Sequence, residues 1–292
     1  MSNSTLRHAL LGYSFLLPNL IGFALFTLGP IVFSLLLSFF NWDLFSTPVF
    51  VDTANYLRLF ADAGSQFWVY TGNSLFFLVV VPLQMGAALL TAYLLNQHLK
   101  GTLLFKIIFF LPVVLSAVPV AIIWEYMLDT ENGLLNILLA HLGVASIPWL
   151  YDSAWIKPGI SLMVVWQGAA FSTIIYYAAL QGIPDQLYEV AVLDGAGAWR
   201  QFWNITMPLL KPTHFFLSIT GVIAALQLFA PIYVMTHGTT GGAHTLLIEV
   251  YWAAYHRFQM GYASGLSWIL FLIIFLLSLL YWTPFGKRMA EP

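Results

Sequence analysis

Long apolar segments separated by short polar ones dominate this sequence. A helix that crosses about 30 Å of hydrocarbon needs roughly 20 mostly apolar residues. Six segments meet this requirement at least approximately, namely residues 10–33, 68–95, 107–127, 160–180, 215–235 and 266–282. Only 8% of the residues are charged, against about a quarter in soluble domains. The sequence therefore predicts an all-α integral membrane protein with six transmembrane helices.

The first segment, within "MSNSTLRHALLGYSFLLPNLIGFALF", resembles a secretory signal peptide only at its start. Its apolar run is too long for a signal peptide, and no small-x-small cleavage site follows. We therefore expect a retained first span. Gly29 and Pro30 are expected to break or bend it, because proline removes a helical hydrogen bond.

The Lys and Arg residues predict the orientation, since short cytoplasmic loops carry an excess of them. Alternate loops divide these residues consistently. The cytoplasmic set is Arg7, Lys100, Lys106, Arg200, Lys211, Lys287 and Arg288, and the outer set is Arg58, Lys157 and Arg257. Both termini are then cytoplasmic, and residues 1–292 form a single multi-pass membrane domain in a plasma membrane.

Several function classes are disfavoured by composition and by missing motifs. A net charge of -2 argues against a nucleic-acid partner. The absence of cysteine excludes disulfides, thiolate catalysis and cysteine-ligated metals. No phosphate-binding G-x-x-x-x-G-K-[ST] and no G-x-S-x-G is present. We expect no catalytic residues, no cofactor and no ATP bound by this chain.

The Gly-rich "GTTGGAH", residues 238–244, is expected to be a flexible outer loop. Three histidines, His237, His244 and His256, share this predicted outer region. Their spacing fits no H-E-x-x-H zinc site. We therefore predict solvated loop histidines and no metal site.

A polar insert, "EVAVLDGAGAWRQFWNITMPLLKP", stands between the fourth and fifth apolar segments. Upstream of it, Pro184 and Asp185 favour a helix start, and Gly195 favours its end. Trp199 and Trp203 then recur at helical spacing before a proline pair, which predicts a second short helix. One interpretation is an amphipathic anchor whose aromatic face rests among lipid headgroups.

The insert also resembles the EAA loop of permease subunits in bacterial binding-protein-dependent ABC importers. The matching residues are Glu189, Ala191, Asp194, Gly195 and Ala196, followed by Phe202, Ile205, Pro208 and Pro212. The chain departs from the motif at Val190 and Met207, and both changes keep the apolar character. Outside the insert, "ALQGIP", "YVMTHGTTGG" and "GYASGLSWILFLII" are similar to sugar-type permeases of this class.

This resemblance implies a type I ABC importer permease with a cytoplasmic coupling loop at about residues 182–212. Glu189, Ala191, Asp194, Gly195 and Ala196 would then contact a separate ATPase. A single six-span subunit supplies half of a pathway, so the implied partners are a second homologous permease, an ATP-binding subunit dimer and an extracytoplasmic solute-binding protein. The resemblance further implies that the chain lies in a bacterial inner membrane, surrounded by membrane lipid.

The spans contain uncharged polar residues rather than the ionisable groups of proton relays, Glu125 near an outer end excepted. Gln84, Gln167 and Gln227 lie well inside their segments, and one interpretation is that each amide only connects helices. Near Gln167, Gly168 and Phe171 add a cleft and an aromatic wall, a mixture that suits sugars.

In related sugar permeases the transport cavity lies midway through the spans that flank the EAA loop. The positions that match here are Gln167, Gly168, Phe171, Thr220 and Gln227. The resemblance thus implies import of a sugar or a related small polar solute. The alternatives are a secondary transporter or channel without an ATPase, and a membrane-embedded lipid enzyme.

Overall fold

The computed structural model describes residue 13 and residues 15–61, 66–97, 101–238 and 242–289. The predicted helical fold class is confirmed, with one small antiparallel pair of strands, β1 (Phe40–Asn41) and β2 (Val49–Phe50). The helices are α1 (Phe15–Leu37), α2 (Ala54–Ala61), α3 (Gln66–Leu95), α4 (Thr102–Val114), α5 (Ala117–Met127), α6 (Leu134–His141), α7 (Ile156–Gln181), α8 (Asp185–Leu193), α9 (Ala198–Leu209), α10 (Lys211–Leu226), α11 (Ala230–Met235), α12 (Leu246–Tyr251) and α13 (Met260–Met289).

Within the described residues, four helices are long and apolar enough to cross a membrane unbroken: α1, α3, α7 and α13 as far as Trp282. Two further candidates are bent pairs of helices. Helices α4 and α5 meet at 107°, and α9 and α10 meet at 64°. Counting each bent pair as one span gives up to six spans, but the second pair joins α9 to α10 and is not the predicted span over residues 215–235, which begins within α10.

Of the break or bend predicted at Gly29 and Pro30, the break does not occur, and α1 continues to Leu37. Instead, Ala24–Leu28 form a π-helical turn in which the Gly29 N–H donates to the Ala24 carbonyl. Proline has no N–H for the carbonyl four residues earlier, so widening by one residue keeps the helix intact.

The third span was predicted as one helix over residues 107–127, and this prediction is wrong. Helix α4 ends at Val114, and Leu115 and Ser116 have extended backbone angles before α5 begins. In a continuous helix the Leu115 carbonyl would accept from the N–H of residue 119. Residue 119 is proline, so that donor does not exist.

The fifth span was predicted over residues 215–235, and here too the helix is interrupted. Helix α10 ends at Leu226, and Gln227 and Phe229 leave helical geometry before α11. Pro231 lies four residues after Gln227 and cannot donate to its carbonyl. The two interruptions share one cause. In each, a proline lies four residues after the first residue beyond the helix end, so the carbonyl of that residue has no helical donor.

The chain divides into two compact units, of which the first comprises residues 1–65 and Glu249–Phe271. In its described part, Asn55 is buried and donates to the carbonyls of Ser38 and Phe40 at 2.8 and 2.9 Å. In the turn between β1 and β2, hydrogen bonds from Ser46 and from the Phe45 N–H lower the pKa of Asp43. The side-chain amide and the turn fix the chain after α1.

The second unit comprises Gln66–Ile248 and the chain from Leu272 onward. Its centre is the contact between α3 and α7, where Ala88 and Ala92 are fully buried beside Tyr176 and Leu180. Small residues allow two membrane helices to approach closely. The expectation of a single permease domain over residues 1–292 stays a prediction.

Candidate functional site

A cavity of about 620 Å³ lies within the second unit, among α3, α7, α10 and the interruptions of the third and fifth spans. Its polar lining includes the amides of Gln84, Gln167 and Gln227. Gly168 and Phe171 line it as well. The structure thus brings together all of the predicted pathway residues except Thr220. The most distant of them in sequence, Gln167 and Gln227, are 60 residues apart.

Thr220 lies outside the set of residues that line this cavity. Its hydroxyl donates to the carbonyl of Phe216 at 2.8 Å, one turn earlier on α10. Such back-bonding satisfies a hydroxyl donor inside a helix. Contact between Thr220 and a solute therefore stays a prediction that the cavity does not support.

Gln84 on α3 lines the cavity as well, although sequence reasoning did not include it among the site candidates. A Cβ atom at Gly168 would lie 2.0 Å from the Gln84 Oε1 atom, and one at Gly221 would lie 3.2 Å from its Nε2 atom. The two glycines face the amide from α7 and α10. Glycine at both positions thus leaves space for this amide inside the cavity.

Gln167 has a second contact besides the cavity. Its Nε2 atom donates to the carbonyl of Leu115 at 3.2 Å, the carbonyl that lacks a helical donor because residue 119 is proline. This bond supports the interpretation that Gln167 connects helices. Its place in the cavity lining supports contact with solute, and one amide can do both, since it has two donor hydrogens and an acceptor oxygen.

The half-helices that follow the two interruptions, α5 and α11, pack against each other. Ala117 and Pro231, near their amino ends, line the cavity. His237, just after α11, has its Nε2 atom 2.7 Å from the Oε1 atom of Glu125 in the last turn of α5. A hydrogen bond thus connects the ends of the two half-helices that lie away from the cavity.

The predicted loop histidines do not share one environment. His237 is exposed, with 75% of its side chain accessible, and His256 is exposed as well. The prediction is wrong for His244, which is 4% exposed and packs on the Tyr70 ring at 4.1 Å. Among the residues that the structure describes, no group of three or more His, Asp or Glu side chains could hold a metal ion.

The polar insert forms the two predicted helices, α8 and α9. Helix α8 begins at Asp185, as predicted, and ends before Gly195, whose φ of 77° is left-handed. The Ala196 N–H donates to the Ala191 carbonyl at 2.8 Å, and the Gly195 N–H donates to Val192 at 3.0 Å. This pair of bonds is a Schellman cap, which glycine permits without strain.

A hydrogen bond between Tyr188 on α8 and Thr206 on α9 connects the two helices of the insert. Their hydroxyl oxygens are 2.9 Å apart, and Thr206 is 1% exposed. Glu189, Asp194 and Gly195 are exposed on the surface of the insert. Ala191 and Ala196 are partly buried.

Comparison with known proteins gives one family and several relatives along nearly the whole chain. The profile of the family described as "Binding-protein-dependent transport system inner membrane component" matches residues 2–282. The chain is 36% identical to the lactose transport system permease protein LacF of Rhizobium radiobacter, with 95% of this chain and 94% of that protein covered. It is 34% identical to the trehalose/maltose transport system permease protein MalF of Thermococcus litoralis, with 94% and 93% covered.

A further relative is the probable ABC transporter permease protein YesP of Bacillus subtilis, 34% identical with 98% of this chain and 96% of that protein covered. Among solved structures, a chain of a bacterial ABC transporter involved in the import of the acidic polysaccharide alginate superposes with a TM-score of 0.80. The two chains are 23% identical, and 99% of each is covered. This likeness confirms the predicted fold class.

Proposed function

The chain belongs to the family of inner membrane components of binding-protein-dependent transport systems, and we propose that it forms half of the pathway by which an ATP-driven importer takes up a sugar or a related small polar solute. Members of this family are components of a transport system and are not enzymes. The relatives LacF and MalF, named for lactose and trehalose/maltose transport, support the carbohydrate class.

The residues that line the cavity are the main support for this proposal. Gln84, Gln167 and Gln227 supply amide donors and acceptors, and Phe171 and Phe229 supply ring faces. A sugar presents hydroxyl groups at its rim and C–H groups on its faces, so it can use both kinds of contact. Among the described residues that line the cavity there is no Lys, Arg, Asp or Glu, which favours an uncharged solute over an anionic one.

The insert is proposed to couple a separate ATPase to this pathway. On α8, Leu187, Val190 and Leu193 are 44%, 58% and 87% exposed, and apolar residues grouped in this way favour a protein contact. Glu189 and Asp194 are exposed beside them and can pair with cationic groups of a partner. The Schellman cap at Gly195 holds the end of α8 in one conformation.

The proposed assembly contains a second homologous permease, a pair of ATP-binding subunits and an external solute-binding protein. One solved relative with a TM-score of 0.81 is an alginate transporter in complex with a periplasmic protein that holds an alginate pentasaccharide. Both termini and the insert are proposed to lie on the cytoplasmic side, where the Lys and Arg bias puts them.

The test is ATP-driven uptake by the complete transporter in proteoliposomes, with lactose, maltose and trehalose offered through the solute-binding protein. We expect uptake of at least one of them to require ATP inside the vesicle together with the ATPase. Gln227→Leu should lower uptake, because Gln227 faces the cavity and its side chain makes no hydrogen bond to the described residues. Uptake without an ATPase would instead indicate a secondary transporter or channel.

A further inference from the structure

A second cavity, of about 450 Å³, lies in the second unit and differs in character from the first. We call it the lateral groove. It is lined by one face of α3 between Leu78 and Leu89, by Tyr176 of α7, by His214, Ser218 and Val222 of α10, and by Tyr281 of α13. The first cavity, lined by Gln84, Gln167 and Gln227, is called the central cavity below. On α3, Val80 and Gln84 face the central cavity, whereas the neighbouring Val81 and Met85 face the lateral groove. The groove is therefore not a continuation of the central cavity.

The polarity of the lateral groove changes along its length. Tyr176, His214 and Tyr281 lie toward the end of the spans at which the insert stands, since Tyr176 packs with Leu180, Ile183 and Leu210. Leu78, Val81 and Val222 lie at the other end, toward the middle of the spans. From Leu78 to Leu89 a helix rises roughly 16 Å, about half of the hydrocarbon thickness of a bilayer.

The polar end contains a buried hydrogen-bonding atom that lacks a partner in the part of the chain that the structure describes. This atom is the Nδ1 of His214. The His214 ring lies edge-on to the ring of Tyr176, which is 1% exposed, with 5.1 Å between the ring centroids. Buried polar atoms without partners are costly, so a bound molecule that supplies partners would stabilise this end.

We infer that the lateral groove binds a phospholipid of the leaflet on the insert side. One acyl chain lies along Leu78, Val81 and Val222, and the phosphate end lies at Tyr176 and His214. Lys211 is exposed three residues before His214, on the same face of α10. A cation there favours a phosphate group at the membrane surface. A sugar would leave the apolar end unoccupied, whereas an acyl chain fills it.

The test uses the complete transporter in vesicles that contain phosphatidylglycerol with a photoreactive diazirine in one acyl chain. After illumination, peptide mapping of the wild-type protein should place adducts on the segments that contain Leu78 to Leu89 and Val222. Excess transported sugar should not reduce them. Reduction by the sugar would identify a second solute site instead and would overturn the inference.

Two glycine variants provide the matched comparison. Gly86 lines the groove, Gly72 lies earlier on α3 outside it, and an added Cβ atom at either position has no neighbour within 4 Å. Gly86→Leu should lower the adduct yield roughly tenfold, because its side chain displaces the acyl chain from apolar contact, whereas Gly72→Leu should not change it. Equal yields from the two variants would contradict the inference. So would adducts that form on the isolated subunit but not on the complete transporter, because a partner subunit would then cover the groove.

Discussion

The side-chain amide of Gln167 donates a hydrogen bond to the backbone carbonyl of Leu115, across the interruption of the third span. Pro119 deprives that carbonyl of its helical donor, so the amide of a neighbouring span replaces it. Because Gln167 also lines the central cavity, the residue that supports the bent span is also available to solute. Structural and transport effects of its mutation must therefore be separated by experiment.

Replacing Gln167 with Leu should destabilise the protein by about 0.5–1.5 kcal/mol, because the hydrogen bond to the Leu115 carbonyl is lost. Adding Pro119→Ala should recover part of this loss, since alanine restores an N–H at position 119. Thermal unfolding of the purified transporter in detergent measures both effects. If the double variant is no more stable than Gln167→Leu alone, the bond to Leu115 is not what stabilises this region.

Gly168→Ala should change solute affinity without preventing assembly. The added Cβ atom would lie 2.0 Å from the Gln84 Oε1 atom, and a flexible amide can move away. If Gln84 binds solute by one hydrogen bond, its displacement should raise KM for uptake by roughly threefold to tenfold, which corresponds to about 0.5–1.5 kcal/mol. Gly72→Ala is the control, because its Cβ atom would meet nothing within 4 Å. An unchanged KM in Gly168→Ala would remove Gln84 from the pathway.

Gly195→Val should weaken attachment of the ATPase and lower uptake. A β-branched residue at a φ of 77° is strained by roughly 1–2 kcal/mol, so the end of α8 should shift. Gly197→Val is the matched control, because Gly197 has a φ of -70° and open space around its Cβ position. Copurification of the ATPase and ATP-driven uptake measure the effect.

Two results would argue against the coupling proposal for the insert. One is normal uptake with a firmly bound ATPase in Gly195→Val. The other is a larger loss on replacing Trp199 and Trp203, which are 74% and 48% exposed, than on replacing Gly195. That second result would favour the interpretation of the insert as an amphipathic anchor at the membrane surface.

The orientation can be tested with single cysteines, because the chain has none of its own. Cysteine at the exposed Glu131 should react with a membrane-impermeant thiol reagent added to intact spheroplasts, whereas cysteine at the exposed Arg200 should react only after the membrane is opened. Both sites are accessible in the chain, so the membrane is the barrier that the labelling reports. Rapid labelling of Arg200→Cys in intact spheroplasts would reverse the proposed orientation.

The sequence by itself determined the helical membrane class and the helices of the insert, because both depend on local properties. Apolar length sets a span, and Asp185 and Gly195 set the ends of α8 through the preferences of single residues for a helix start and a left-handed cap. The same local reasoning failed at His244, because burial depends on the neighbouring Tyr70, which is remote in sequence.

The tertiary structure decided how the spans are interrupted and which residues surround the cavity. Pro119 and Pro231 are visible in the sequence, yet proline is compatible with either a continuous or an interrupted membrane helix, as α1 at Pro30 shows. The outcome depends on whether another group satisfies the freed carbonyl, and at Leu115 that group is Gln167, 52 residues away. Likewise, Gln84 joins the site only because Gly168 and Gly221 on two other helices leave it space. Contacts between distant segments are set by packing, which no local pattern encodes.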